Sequence, residues 1–250
     1  MKKQKQKRNR TAVAVPLLAL LAAAALSGCG GSDSDSGSSD DSAGNKPKAS
    51  APEAVEPAAK LDDVALAKDE VKGFTVKKPD QEYAFAKSRD EIKVGKAGCA
   101  PLAYATNQFP LGSPESDLTR VATGAKGPGA FTYVTLATYA KGGAKTALAE
   151  FSKAVGSCGG GFTAKAGGNT STYTSVTAES AAKPAGADES VAFKATTEYQ
   201  DLTHTVRGQA VRHGETLALY FAVDGLAFTQ SRPGDAKVAT AVVDAQSAKL

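Results

Sequence analysis

The sequence predicts an α+β fold, an antiparallel sheet with packed helices, preceded by an N-terminal leader and a polar tether. Period-two alternation is the first observation behind this. Phe131, Tyr133, Thr135, Ala137 and Tyr139 fall on one face of an extended segment, and Val191, Phe193, Ala195, Thr197 and Tyr199 do the same later. The second is a hairpin: residues 202–212 and 215–223 flank His213-Gly214, and Leu217, Leu219, Phe221 and Val223 share one side of the second strand. The third is a helical stripe, Ala144, Ala147, Leu148, Phe151 and Val155, which the glycines from Gly156 to Gly161 bring to a stop. The later strands follow one another through short turns with no room for a crossover helix, so the sheet should be antiparallel.

Residues 1–28 read as a signal peptide. A basic start (Lys2, Lys3, Lys5, Lys7, Arg8, Arg10) leads into an apolar run from Ala12 to Leu26 interrupted by Pro16, with small residues Ser27 and Gly28 after it. The run is shorter than the roughly 20 apolar residues a spanning helix needs. Leu26-Ser27-Gly28-Cys29 resembles the lipobox of bacterial lipoproteins, in which cleavage before the cysteine accompanies diacylglycerol transfer to its thiol. The expected lipidation site is therefore Cys29, and two acyl chains are what durable anchoring requires when each buried methylene contributes about 0.8 kcal/mol. Removing the six leader cations turns the formal charge of +4 into −2, that is 24 basic against 26 acidic residues. The mature chain has no electrostatic case for nucleic acid.

From Gly30 to about Pro57 the composition shifts to Ser, Asp, Gly, Ala and Pro. Such a segment buries too little apolar surface to offset its ordering entropy, so residues 29–59 are expected to form a disordered tether with a coil reach of roughly 30 Å. Asp33, Asp35, Asp40 and Asp41 lack the spacing and closing glutamate of a calcium loop and read as solvated linker charge.

Residues 60–250 are expected to form one extracytoplasmic domain. Besides the elements above, weaker helices are expected at Leu61 to Glu70 and Pro101 to Gln108. A C-terminal helix from about Asp235 should carry Val238, Ala241, Val242 and Ala245 on one stripe, just after Pro233-Gly234. With Cys29 lipidated, Cys99 and Cys158 are an even pair in an oxidising setting, and a structural disulfide is the simplest outcome. It would close a loop of about 60 residues, worth roughly 4 kcal/mol in the chain-entropy model. Neither cysteine lies in a Cys-x-x-Cys pair or near a histidine in sequence, so the reading is structural and not metal-binding or redox-active.

Catalytic motifs are missing from the sequence: there is no Gly-x-Ser-x-Gly elbow, no phosphate-binding glycine loop and no His-Glu-x-x-His. His204 shares a strand face with Val206 and reads as a packed or rim histidine, whereas His213 sits in a polar turn. Gly142-Gly143 and Gly159 to Gly161 either cradle an anion or mark a helix start and stop. Asn169-Thr170-Ser171 matches a glycosylation acceptor by pattern but is read as a turn. No catalytic, cofactor-binding or metal residues are assigned, and no cofactor is expected.

The lipobox, the Ser/Asp-rich tether, the Cys-Ala-Pro-Leu segment at Cys99, the helix ending in Cys158 and the late Val-Arg-Gly strand together resemble the small surface lipoproteins of actinobacteria. The domain is also loosely similar to the extracellular sensor domains of receptor serine/threonine kinases. The resemblance implies a lipid-anchored domain on the outer face of the cell membrane that binds a small-molecule ligand or partner protein. Two further classes stay open, a carrier of an apolar or amphiphilic molecule and an unrecognised hydrolase. A non-enzymatic binding module leaves no short motif, and its contact surface is expected on a sheet face or edge free of helices, with Tyr133, Tyr139, Tyr199 or Tyr220 presenting their rings.

Overall fold

The computed structural model describes residues 57–80, 86–124 and 129–250. The expected leader, the expected lipidation site at Cys29 and residues 29–56 of the expected tether lie outside them, whereas residues 57–59, which the sequence placed in the tether, open a helix. Within the described residues the chain forms the expected α+β fold. Helix α1 (Pro57–Val64) comes first, followed by strands β1 (Phe74–Lys77) and β2 (Lys93–Val94) and helix α2 (Ala100–Ala105). Strands β3 (Ser116–Gly124) and β4 (Ala130–Thr138) lead into helix α3 (Gly143–Ser157). Strands β5 (Phe162–Ala166), β6 (Asn169–Glu179), β7 (Glu189–Tyr199), β8 (Leu202–His213) and β9 (Thr216–Asp224) then run as a meander. The chain closes with helix α4 (Gly225–Thr229), strand β10 (Gly234–Asp235) and helix α5 (Thr240–Ser247).

The sheet order is β1-β3-β4-β9-β8-β7-β6-β5-β2, with β10 beside β8. Every pairing is antiparallel except that of β10 with β8. Helix α3 carries the chain from the middle of the sheet to β5, and the meander returns until β9 pairs with β4 from Ala130↔Asp224 to Thr138↔Thr216. The alternation read from the sequence holds: Tyr133, Ala137 and Tyr139 share the front face with Leu217, Leu219, Phe221, Phe193 and Ala195. The hairpin also forms, its turn one residue later than expected at Gly214-Glu215, because His213 still pairs with Thr216.

The sheet has a core on each face. On the front, α3 lays Ala144, Ala147, Leu148, Phe151 and Val155 across β6 to β9, with α2 beside it. Burying each large side chain there contributes about 1.5–3 kcal/mol. Cys99 and Cys158 are joined by a disulfide inside this core, with Cα atoms 6.0 Å apart and both residues fully buried. On the back, α1 covers β3 and β4, α5 covers β9, and Leu61, Leu66, Val134, Leu136, Tyr220, Val242 and Val243 pack together.

Three helices differ from expectation. Helix α1 spans Pro57–Val64 and not Leu61 to Glu70. The chain leaves the helix at Ala65 because the Leu66 amide is taken by the Gln246 side chain, and the Ala67 amide by Glu70. Helix α2 ends at Ala105, before a left-handed Gln108. Helix α5 starts at Thr240 and buries Val242, Val243, Gln246 and Ser247, leaving Ala241 exposed. Residues 234–236 cannot join that helix because they extend along β8, where the Ala236 amide donates to the Thr205 carbonyl at 3.1 Å.

Candidate binding face

The tyrosines expected at a contact surface are mostly inside. Tyr139 is buried and donates its hydroxyl to the Leu111 carbonyl at 2.6 Å, and Tyr220 is fully buried with its hydroxyl 3.4 Å from the Val243 carbonyl. Burial pushes both phenols well above their ordinary range. Tyr133 is half-buried against Phe131 and Phe221. Tyr199, at 47%, is the large hydrophobic residue that stands exposed among those described. The correction for Tyr139 and Tyr220 follows from a sheet that is covered on both faces at its centre, so that both sides of β9 are core.

Cover on the back face extends past β9 to Val211 of β8, which is fully buried in the same cluster as Val242 and Val243. Beyond it, the strand alternation of β5 to β7 presents Thr163, Lys165, Thr172, Thr177 and Lys194 to solvent on that face, with Thr205 of β8 half-buried beside them. At the inner border of this surface, against α5, lies an open cleft of about 420 Å³. Arg207 sits in its wall, its side chain only 16% exposed. Arg207 Nε donates to both carboxylate oxygens of Glu179 at 3.0 Å, while Nη1 donates to Asp235 and to the Ala236 carbonyl. A buried guanidinium held on two carboxylates is a rigid, charge-assisted fixture. Gln209, also buried, donates to the Ala182 carbonyl at 3.1 Å and the Ser190 hydroxyl at 3.0 Å. Lys237 and Asp244 complete the rim.

Sequence reasoning missed this group because Arg207, Glu179 and Asp235 are 28 residues apart in either direction and each occupies an outward strand position. A second cleft of about 340 Å³ lies between α2 and α3. Its main cation, Arg89, stacks 4.1 Å over the Tyr104 ring and donates to the Gly112 carbonyl, so it is spent on protein contacts.

Neither histidine is placed as a catalytic base. His204 is buried with neither ring nitrogen hydrogen-bonded within the protein, and Nε2 of His213 is likewise unpartnered. Burial lowers both imidazoles from their ordinary range, with Asp224 opposing the shift at His204 and Asp188 at His213. The glycine runs act as helix boundaries. Gly142, left-handed at the start of α3, gives its amide to the Glu215 carboxylate at 2.8 Å, and Gly161, at φ +83°, closes the other end by donating to the Cys158 carbonyl. Asn169 opens β6 directly after the Gly167-Gly168 turn. Among the described residues no His, Cys, Asp or Glu cluster is arranged to hold a metal, and no helix is long and apolar enough to cross a membrane.

An α+β domain with a half-open polar sheet face is the class these features define. No protein-family model matches the chain, and no curated protein matches it. Among solved structures it is similar to the extracellular domain of PknH from Mycobacterium tuberculosis, at 9% identity over 77% of this chain and 93% of that one, with a TM-score of 0.47. It is also similar to the Rv0999 ortholog from Mycobacterium smegmatis, at 15% identity over 77% of this chain and 94% of that one, with a TM-score of 0.36. Likenesses at this distance assign neither a family nor a ligand.

Proposed function

We propose that this chain is a membrane-anchored surface lipoprotein, held through Cys29, whose extracytoplasmic domain binds a polar ligand or protein partner without catalysis. The observation that carries this reading is the exposed back face of β5 to β7, bordered at β8 by the cleft that Arg207, Glu179 and Asp235 fix. A buried Cys99–Cys158 disulfide supports an oxidising compartment, since cytosolic thiols are kept reduced. A carrier of apolar cargo needs an enclosed apolar cavity. The clefts at Arg207 and at Arg89 are open troughs with charged rims.

Partner capture by crosslinking on intact cells tests the reading, with Lys194→Glu and Thr177→Arg on the open face compared with Lys145→Glu on α3. Both face variants are expected to lose at least about tenfold of the captured material, the cost of about 1.4 kcal/mol of binding, while the α3 variant keeps it. Equal capture by folded forms of all three would overturn the assignment of the face. Robust ester, amide or glycoside turnover that His204→Ala or His213→Ala abolishes would overturn the non-catalytic reading.

A further inference from the structure

His204 is an anomaly among the buried groups. A neutral imidazole carries one donor and one acceptor, and buried polar atoms nearly always find partners. Here both nitrogens go without, in a residue that is 1% exposed. The ring is instead held by aromatic contact. It stacks on Phe228 of α4 with centroids 3.9 Å apart, and Tyr199 meets it edge-on at 6.4 Å. A Cβ placed on Gly234 would lie 3.0 Å from Nδ1 and 2.9 Å from the Ala227 Cβ, so glycine is what lets the chain close over the ring.

The chain that closes over it is a strap, residues 224–237, which also gives its Gly225 amide to the Gly129 carbonyl. Helix α4 has five residues, capped by the Asp224 carboxylate on the Ala227 amide at 3.0 Å. Arg232 pairs with Asp224 at 3.1 Å, and Ser231 sits at φ +48°. Two residues of β10 then pair with His204 and Thr205, which brings Asp235 and the Ala236 carbonyl onto Arg207. The next residues, Lys237 and Val238, line the cleft. One continuous segment therefore covers the imidazole at one end and builds the wall of the candidate site at the other.

We propose that His204 is a proton-operated latch on the binding face: protonating its ring releases the 224–237 strap, withdraws Asp235 and the Ala236 carbonyl from Arg207, and opens the cleft to an anionic group. The last step rests on the binding-face reading above, and the release step does not. An imidazolium has two donors and a charge, and nothing in the stacked pocket accepts either donor. Of the charged groups facing it, Asp224 attracts the proton but is already engaged by the Ala227 amide and Arg232, and Arg232 repels it. Thr197, opposite on β7, and Gly234 on β10 are neutral. Burial holds the folded His204 below the ordinary imidazole value of about 6.5, so closure is fully stable above that value and is lost as pH falls through the lower folded one.

Hydrogen–deuterium exchange of the whole chain, with no ligand present and corrected for the intrinsic pH dependence of amide exchange, tests the latch at ~pH 7.5 and ~pH 5. Amides of residues 225–237 are expected to open at least about tenfold more at the lower pH, with β3 and β4 unmoved. His204→Phe keeps the stack and cannot titrate, so its strap should exchange alike at both. Should that variant fold poorly, an NMR titration of the wild-type His204 ring supplies the readout, with its midpoint below 6.5 and loss of the Phe228 ring-current shift on protonation. A strap that exchanges equally at both pH values in the wild type, or a pH response that survives in His204→Phe, overturns the latch. Because no ligand is involved, either result leaves the crosslinking test of the binding face to stand or fall separately.

Discussion

Gln246 shows what a single polar side chain does in this molecule. It is fully buried, its Oε1 accepts the Leu66 amide at 3.0 Å, and its Nε2 donates to the Val64 carbonyl at 2.8 Å, tying α5 to the end of α1. Gln246→Leu removes both bonds and strands two buried backbone groups, each costing about 1–3 kcal/mol. The expected result is a lower urea midpoint with an unchanged m value. On the opposite face Gly208 serves packing: a Cβ there would lie 2.3 Å from Phe193 Cε1, whose ring meets Phe151 of α3 edge-on at 5.7 Å. Gly208→Ala should therefore cost about 1–3 kcal/mol by overpacking, read from the same denaturation curve. The sequence made His204 and Cys158 legible as inward residues because they continue apolar alternation or an apolar stripe. Gln246 was illegible, since a glutamine at 0% exposure looks like any solvated glutamine until its two partners, 180 and 182 residues away, are folded against it.

At the scale of elements, α3 and its disulfide work as one part. The helix supplies the front core, and Cys158 at its C-terminal end locks it to the turn before α2. Replacing both Cys99 and Cys158 by serine should cost about 2–5 kcal/mol, with a larger m value because the denatured chain loses a cross-link and exposes more surface. Unchanged midpoint and slope would mean that packing alone fixes the helix. Both α3 and this pair could be read in advance, because a long amphipathic stripe and an even cysteine count are local signals. Strands β3, β5 and β6 were not, for separate reasons. In β3 the inward alternation is broken by Arg120, buried because it pairs with Asp62 of α1. Strand β5 alternates Phe162, Ala164 and Ala166 against Thr163 and Lys165, but it is short and alanine-rich. Strand β6 buries only Tyr173 and Val176, and an irregularity between Tyr173 and Ser175 interrupts the period. Cover from distant elements and a bulge decide these strands, and neither leaves a trace in a short window.

For the whole molecule, the back face divides into a half that helices close and a half that they leave open. The division follows from where the first and last described helices meet: α1 and α5 dock together, joined by Gln246 and by Lys249, which bonds the Ala65 carbonyl and the Glu70 carboxylate. Two short helices placed together cover β3, β4, β9 and Val211 of β8, and they leave the back of β5 to β7 to solvent. A surface of that kind serves a partner only if the molecule is held where partners are, and the proposed means is the thioether-linked lipid on Cys29. The leader's basic start, its apolar run and Leu26-Ser27-Gly28-Cys29 all converge on that thiol. Diacylglycerol contributes two chains, and one chain alone gives only reversible membrane binding. Cys29→Ala should thus move the protein from the membrane fraction to the soluble fraction while the Cys99–Cys158 disulfide and the fold persist, since the sequence places Cys29 ahead of the domain. Intact-mass analysis of the wild-type membrane-bound form should find an acylated cysteine at its N-terminus. A cleaved but unacylated Cys29 in that fraction would require another anchor and would end the lipoprotein reading, leaving the binding face to be tested without it.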